Sequence, residues 1–511
     1  MKYIYTIFLC FVVNIVQGQF KYFMHTYYPF TDTLNAEKFA SLIQLTDSNY
    51  LAVGASTDQF TYIYSWLAKI DNQGKMVKQI KLYDTTVFKD GSQFSDIIQT
   101  YDGNFMISQV LINVAGNAKN VAMVKMNTTL DTIWTKIYST YVGSSHTVSD
   151  ACIESFDKGI LAVGTCWNHL IVNSSDFYML KTDSLGNKLW DTAYGGNDYD
   201  AAWDVVQTPD SGFLVIGITR SFGAGNLDNY LIKIDKDGKK IWQKTYGTWF
   251  SEGPTQIFRL YDDNYLIVAG GTKGPGLYDD SDGTLIKINS SGTKIWQKDY
   301  GRPVLNDELW GAVEMPDSGI IAAGVMWVDT FNNHSAFAWV IKTDKDGNQL
   351  WEHVYNILSP TVIQDNYVFG IIKTNDGGVL LNGFATDTLS NSISKQDGFL
   401  LKLDSLGCND SLCALSATYQ ENYFNTIQEF GVYPNPVQQQ INIAMSAGLT
   451  KLHEPINIQI MDVTGRIVYS NRYTAPPTNI ITIENVYVYK GIYLIKLKTQ
   501  DYENTKLFIK Q

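Results

Sequence analysis

One lysine returns seven times along this chain at an almost fixed interval: Lys69, Lys125, Lys181, Lys233, Lys287, Lys342 and Lys402, spaced by 56, 56, 52, 54, 55 and 60 residues. Two residues after each stands Asp71, Asn127, Asp183, Asp235, Asn289, Asp344 or Asp404. Nine residues after it stands Trp134, Trp190, Trp242, Trp296 or Trp351, in five of the seven copies. Each lysine belongs to the same longer sentence. A turn of the Asp-x-Gly kind leads into an apolar stretch ending in Gly; a variable loop follows, then Leu-x-Lys-x-Asp or a close variant, and in most copies Gly-x-x-x-Trp-x-x-x-Tyr. A period of this size means one supersecondary unit stacked on its neighbours, because a single unit cannot bury its apolar face alone.

The fourth copy, 203–247, is the clearest. Its apolar residues alternate or run in blocks of about five between turn residues, which is strand rather than helix periodicity. Pro-Asp-Ser-Gly and Asp-Lys-Asp-Gly supply turns, since Asp and Gly tolerate the backbone angles of tight hairpins. Four strands are expected, at about 203–208, 213–219, 229–235 and 240–246. Four antiparallel strands repeated seven times predict an all-β fold, a seven-bladed β-propeller. The last copy stops at Gly407 without a fourth strand, and Phe23-Met-His-Thr-Tyr27 lines up with Trp242-Gln-Lys-Thr-Tyr246. The N-terminal strand is therefore expected to complete the last blade, leaving no open sheet edge. An open solenoid would need no such displaced strand.

The copies serve as an internal comparison: what every blade keeps is needed by the blade, and what differs is free for function. The lysines, their Asp/Asn partners and the Trp/Tyr positions read as structural, the lysine stem packing while its head reaches a carboxylate or solvent. Asp235-x-Asp237-Gly238 and Asp344-x-Asp346-Gly347 lack the further ligands of a calcium loop and read as hairpin turns. No metal site and no cofactor is predicted. The variable parts are the loops joining strands two and three and those joining strand four to the next blade, which emerge on one face. That face is expected to hold the ligand-binding residues Trp167, His169, Trp249, Phe250, Glu252, Tyr278, Asp279, Arg302, Asp307, Trp327 and Asp329, with His334, Glu308 and Trp310 nearby. Aromatic faces beside carboxylates and arginine suit stacking on sugar rings whose hydroxyls are hydrogen-bonded around them.

A net charge of −12 and a pI near 5.0 argue against binding a phosphate backbone. Catalytic motifs are missing: there is no Gly-x-Ser-x-Gly elbow, no His-Glu-x-x-His and no phosphate-cradling glycine loop ahead of a helix. Asp198, Asp200, Glu252, Asp307 and Glu308 are the carboxylates from which a glycosidase-type pair could be drawn.

Residues 1–18 read as a secretory signal, with Lys2, an apolar stretch from Ile4 to Val16 and Val16-Gln17-Gly18 before the cleavage point. No segment is long and apolar enough to be a transmembrane span. In an oxidising compartment Cys408 and Cys413 could form a small disulfide just past the last repeat, while Cys152 and Cys166 read as a cross-strand pair or as free buried thiols. The propeller is assigned to 19–407 and a polar linker to 408–428. Beyond it, about 80 residues of short alternating strands predict a small antiparallel, immunoglobulin-like β-sandwich.

That last region carries a family signature. Tyr433-Pro434-Asn435-Pro436, then Asp462-x-x-Gly465-Arg-x-Val468, then Gly491-Ile-Tyr493-Leu-Ile-Lys-Leu497 and a basic final strand resemble the type A C-terminal sorting domain of the type IX secretion system, over residues 429–511. The resemblance implies an outer-membrane export address, a partner in the type IX machinery, a Bacteroidota source, and a cargo that ends secreted or on the cell surface. The repeats are also similar to those of uncharacterised exported proteins of that phylum. The whole reads as an exported binding protein, monomeric, recognising a glycan or a cell-surface partner through the loop-rich face. The alternative is a secreted polysaccharide hydrolase or lyase using a carboxylate pair on that face.

Overall fold

The computed structural model describes residues 23–27, 37–57, 63–82, 88–90, 96–113, 119–139, 141, 144–168, 174–248, 251–272, 281–302, 306–330, 333–357, 364–387 and 395–409, and in the C-terminal part 430–433, 440–445, 455–462, 466–474, 480–484, 491–499 and 503–510. The regular elements among them are strands. Blade four is formed by Asp200–Gln207, Phe213–Thr219, Asp228–Ile234 and Lys240–Tyr246, hydrogen-bonded in that order from the axis outward. The innermost strands of the other blades are Glu37–Gln44 (one), Asp96–Gln99 (two), Ala151–Glu154 (three), Glu252–Arg259 (five), Asp307–Glu314 (six) and Gln364–Lys373 (seven). The chain is a seven-bladed β-propeller followed by a small β-sandwich.

The two middle strands of blade four are buried at every position. They lie between neighbouring blades, so both faces must be apolar, and the sequence accordingly shows blocks instead of strict alternation. The core lies in the seams: Leu214, Ile216 and Leu231 of blade four pack with Ile257, Tyr265 and Ile267 of blade five. Each such side chain, fully buried, contributes roughly 1.5–3 kcal/mol.

The constant residues hold the blades. All seven lysines reach the aspartate of their own first hairpin turn: Lys69–Asp47 at 3.4 Å, Lys125–Asp102 at 2.6 Å, Lys181–Asp157 at 2.9 Å, Lys233–Asp210 at 2.8 Å, Lys287–Asp262 at 2.6 Å, Lys342–Asp317 at 2.5 Å and Lys402–Asp376 at 2.9 Å. The Asp or Asn two residues on closes the second hairpin turn. Asp235, for example, accepts the N–H groups of Asp237 and Lys239, both at 2.9 Å, and Asp344 those of Asp346 and Asn348. Those oxygens serve the turn, as expected.

The tryptophan and tyrosine join one blade to the next. The Tyr246 hydroxyl donates to the Gly292 carbonyl at 2.6 Å, and Tyr138, Tyr194, Tyr300 and Tyr355 do the same to Gly186, Gly238, Gly347 and Gly407. Those glycines have positive φ, and a Cβ on Gly292 would lie 2.7 Å from the Trp242 ring. Glycine is required twice over, for its backbone angle and for the indole lying on it. Blade one has neither aromatic; there Lys78 donates to the Thr129 carbonyl of blade two at 3.1 Å.

The ring closes as expected. Phe23–Tyr27 pairs antiparallel with Lys395–Leu403, Phe23 opposite Lys402, which is the register of Trp242 opposite Lys233. Phe23 and Tyr27 join a core cluster with Phe39, Tyr50 and Trp66 of blade one.

Cys152 and Cys166 are free and buried, each opposite a different residue, Ala162 and Asp176. Cys408 is disulfide-bonded; Cys413, its expected partner, lies outside the described residues. The C-terminal part forms two sheets. Phe430–Tyr433, Gln440–Met445 and Ile480–Glu484 make one; Ile467–Tyr473, Ile456–Asp462, Gly491–Lys498 and Glu503–Lys510 make the other. Ile441, Ile443, Ile458, Ile460, Tyr493 and Ile495 fill the space between. Among the described residues no helix is long and apolar enough to cross a membrane.

Candidate functional site

Among the described residues, six of the innermost strands are irregular at the same level. In five blades one residue is left unpaired by a β-bulge: Ala40, Trp203, Thr255, Trp310 and Phe369. In blade three the inner strand breaks between Ser144–Thr147 and Ala151–Glu154, and Asp150 takes that place. A bulge re-aims side chains at the cost of one ladder position. Here it turns both the bulged residue and its successor toward the axis. The successors are Ser41, Asp96, Ala151, Asp204, Gln256, Gly311 and Gly370, each six residues before its turn aspartate. These residues, with Val148, Thr165, Trp167, Tyr199 and Asn382, line an axial cavity of about 530 Å³ to which all seven blades contribute.

Several successors tie one blade to the next. The Ser41 hydroxyl donates to Asp96 Oδ1 at 2.8 Å, and Asp96 Oδ2 accepts the Cys152 N–H at 2.9 Å. Asp204 Oδ2 accepts the Ile257 N–H at 2.8 Å, and Gln256 Oε1 the Ala312 N–H at 2.7 Å. Three carboxyls thus face one cavity deep in the fold. Desolvation pushes Asp150 up to about 7, partly offset by Lys119. Desolvation also pushes Asp204 up to about 7 against the N–H donors of Ile257 and Val205, with Asp96 adding to the rise. Desolvation raises Asp96 as well. In the physiological range Asp150 and Asp204 exchange protons instead of standing as fixed charges.

Aromatic rings form the rest of the wall. Trp203, Trp310 and Phe369 come from bulges; Trp167 and Tyr199 stand where their strands give way to the variable loops. Trp310 meets Phe369 edge-on at 5.7 Å. Cations lie over these rings: Lys38 at 5.7 Å from Phe369, Lys119 at 5.9 Å from Trp167 and Arg220 at 6.0 Å from Tyr199. Desolvation lowers Lys38 to about 8.

Of the residues singled out in the sequence, Trp167 and Trp310 line this cavity. Glu252 lines an adjoining recess of about 250 Å³ with Trp203, Glu308 and Trp310, and burial raises both glutamates. Arg302 and Asp307 are engaged with each other, Nη2 to Oδ1 at 2.9 Å and Nε to Oδ2 at 3.2 Å, and the guanidinium also donates to the Trp327 carbonyl. Trp327 meets Tyr367 edge-on at 5.8 Å. Asp329 pairs with His334 through the backbone. His169, Trp249, Phe250, Tyr278 and Asp279 lie outside the described residues. Of the sorting motif, Tyr433 and Gly491 are in strands and Tyr493 is in the sandwich core, while Pro434, Asn435, Pro436 and Gly465 lie outside the described residues. Among the candidate carboxylates, Asp200 and Asp307 are fully buried. The acids that do face the axis were not singled out.

Residues 431–511 match the family of secretion system C-terminal sorting domains. No curated protein matches the chain. Similar solved structures include an ulvan lyase, a polysaccharide lyase bound to -[GlcA(1-4)Rha3S]-, at 9% identity and TM-score 0.49, covering 74% of this chain and 96% of that one. Another is PorZ, a bacterial surface component of the type IX secretion system of Porphyromonas gingivalis, at 10% identity and TM-score 0.29, covering 93% and 82%. A third is the NanB sialidase of Streptococcus pneumoniae, at 10% identity and TM-score 0.41, covering 75% and 70%. At such values the chemistry of the cavity has to be read from its own residues. The sorting domain makes this chain a cargo of the type IX machinery, exported to the cell surface or secreted.

Proposed function

We propose that the propeller is a carbohydrate-binding module that takes a sugar chain end-on into the axial cavity, from the face bearing the variable loops. One observation supports this most. The bulge and its successor are held in the same frame in six blades, yet their side chains differ from blade to blade: Ala40-Ser41, Asp150-Ala151, Trp203-Asp204, Thr255-Gln256, Trp310-Gly311, Phe369-Gly370. Variation among the residues that line a cavity is what ligand recognition requires of a repeat fold. Trp203, Trp310 and Trp167 offer stacking faces for pyranose rings, and Asp150, Asp204, Gln256 and Asn382 offer hydrogen bonds to hydroxyls.

A second reading is favoured by the acids. A carboxyl near 7 can serve as a general acid, and Asp150 and Asp204 both stand there. On that reading the protein is a glycan-cleaving enzyme working at the same cavity. Glycan-array binding by the purified protein, compared with reducing-sugar release from the bound polysaccharides, separates the two. Binding lost in Trp203→Ala without sugar release supports the module; release abolished by Asp150→Asn supports the enzyme. Neither binding nor release across neutral, acidic and sulfated glycans would sink both.

A further inference from the structure

At three successive blade junctions a carboxylate from the third strand of one blade meets a carboxylate from the first strand of the next. The pairs are Asp176 with Asp200, Asp228 with Glu252, and Asp282 with Asp307. At the first two, isolated parallel bridges, Ser175 to Tyr199 and Leu227 to Ser251, set the following residues side by side. Each pair crowds the glycine after the outer-strand tyrosine. A Cβ on Gly195 would lie 2.0 Å from Asp176 Oδ1 and 2.7 Å from Asp200 Oδ2. On Gly247 it would lie 1.9 Å from Asp228 Oδ1 and 3.0 Å from Glu252 Oε2. On Gly301 it would lie 2.6 Å from Asp282 Oδ1.

The backbone frame is the same in all three. The N–H after the glycine donates to the first-strand carboxylate, from Gly196 to Asp200 at 2.7 Å, Thr248 to Glu252 at 2.8 Å and Arg302 to Asp307 at 2.8 Å. At the third junction that residue is arginine, and its guanidinium neutralises Asp307 through both oxygens. At the other two it is Gly196 or Thr248, which bring no charge. Asp200 is 0% exposed and its Oδ1 has no hydrogen-bond partner; Glu252 Oε2 has none either, and Asp228 is 1% exposed. Each pair thus sets a fully buried carboxyl, Asp200 or Asp228, beside a half-buried one with no arginine between them, an arrangement that is costly to bury.

We propose that each of these two junctions binds a hard divalent cation, of which calcium is the natural probe, in the position that the Arg302 guanidinium fills at the third. The donors are all oxygen, as calcium prefers. Among the described residues no three His, Cys, Asp or Glu side chains converge on one point. Backbone and water oxygens would therefore complete the shell, and affinity belongs in the range of extracellular modules, about 10⁻⁴–10⁻³ M.

The full chain, stripped with EDTA, is melted with and without millimolar calcium against sodium chloride of equal ionic strength, and calcium is titrated calorimetrically. The expected result is a saturable rise in melting temperature on the order of 3 °C and two sites per chain. Thr248→Arg supplies the missing cation at the Asp228–Glu252 junction, so it should leave one site while melting higher than the stripped native chain. Asp200→Asn should remove the other site. A calcium effect that is absent, that sodium chloride reproduces, or that survives in the double variant overturns the proposal. Because Thr248→Arg tests one junction without deleting a buried group, a poorly folding Asp200→Asn would not spoil the test.

Discussion

The Tyr27 hydroxyl donates to the Gly74 carbonyl at 2.7 Å, across 47 residues and across the seam where the ring closes. The same bond joins Tyr246 to Gly292 inside the ring, so the closure uses the ordinary blade-to-blade latch. A latch removed by Tyr→Phe forfeits a net hydrogen bond and leaves a buried carbonyl unpaired, about 1–2 kcal/mol. Tyr27→Phe and Tyr246→Phe should therefore lower the melting temperature by similar amounts. Deleting residues 19–28 should cost far more, because it strips the outer strand from blade seven and exposes the edge of Lys395–Leu403. A deletion that melts like the intact chain would remove the closure strand from the account of stability.

Stability should pass through a maximum in mild acid. Desolvation alone would raise Asp210, but the Lys233 ammonium, the Thr208 hydroxyl and the Gly212 N–H together pull it down to about 2. Its folded value is depressed, so its contribution is present above the unfolded value of about 3.9 and is lost as pH falls toward 2. Asp150 and Asp204 stand at about 7, raised, so their contribution is complete below about 3.9 and is lost as pH rises through 7. The melting temperature should be highest near about pH 4 and fall as pH rises to about 7. Asp150→Asn should flatten that fall, by on the order of 1 kcal/mol once screening by cavity water is allowed for. A melting profile of Asp150→Asn parallel to the native one would show that this carboxyl does not carry the effect.

What could be read from the chain beforehand divides along a physical line. Lys233, Asp235, Trp242 and Tyr246 could be read because each occupies a turn or strand whose geometry every blade must reproduce. Phe23–Tyr27 could be read because the last repeat lacked a strand of the same pattern. Trp203, Asp204 and Asp150 could not. They lie within or beside strands, where alternation assigns sides, and a bulge has no compositional mark that would reassign them. A signal was nevertheless present: the column six residues before the turn aspartate holds Ser41, Asp96, Ala151, Asp204, Gln256, Gly311 and Gly370, varying in size and polarity while the turn aspartate itself stays constant. Arg302 misled for a related reason. Its sequence setting in a variable loop could not reveal that Asp307, five residues on, holds it in both oxygens' reach.

Removing residues 429–511 should leave the propeller folded and unexported. Among the described residues none of that segment belongs to a blade sheet, and its strands form two sheets of their own. The truncated chain should melt as the intact propeller does and accumulate in the periplasm, as fractionation of the cells would register. Truncated protein reaching the cell surface in normal amounts would mean that the sorting domain is not what addresses it.

The last prediction separates recognition from architecture. Trp203 and Trp310 face the cavity from bulges and belong to none of the seam clusters; Trp242 lies on Gly292 of the next blade, in a seam cluster with Leu231 and Ile267. Trp203→Ala and Trp310→Ala should each weaken glycan binding, by about 0.5–1.5 kcal/mol for the lost stacking beyond area burial, with little change in melting temperature. Trp242→Ala should do the reverse. It empties a packed position at roughly 3–5 kcal/mol while leaving every cavity-lining side chain in place, so affinity measured well below its lowered melting temperature should stay native. The decisive quantity is the pair of shifts, in affinity and in melting temperature, for the three variants together. If Trp203→Ala and Trp310→Ala destabilise the fold as Trp242→Ala does, the bulge residues are part of the core, and recognition must be sought on the loops outside the cavity.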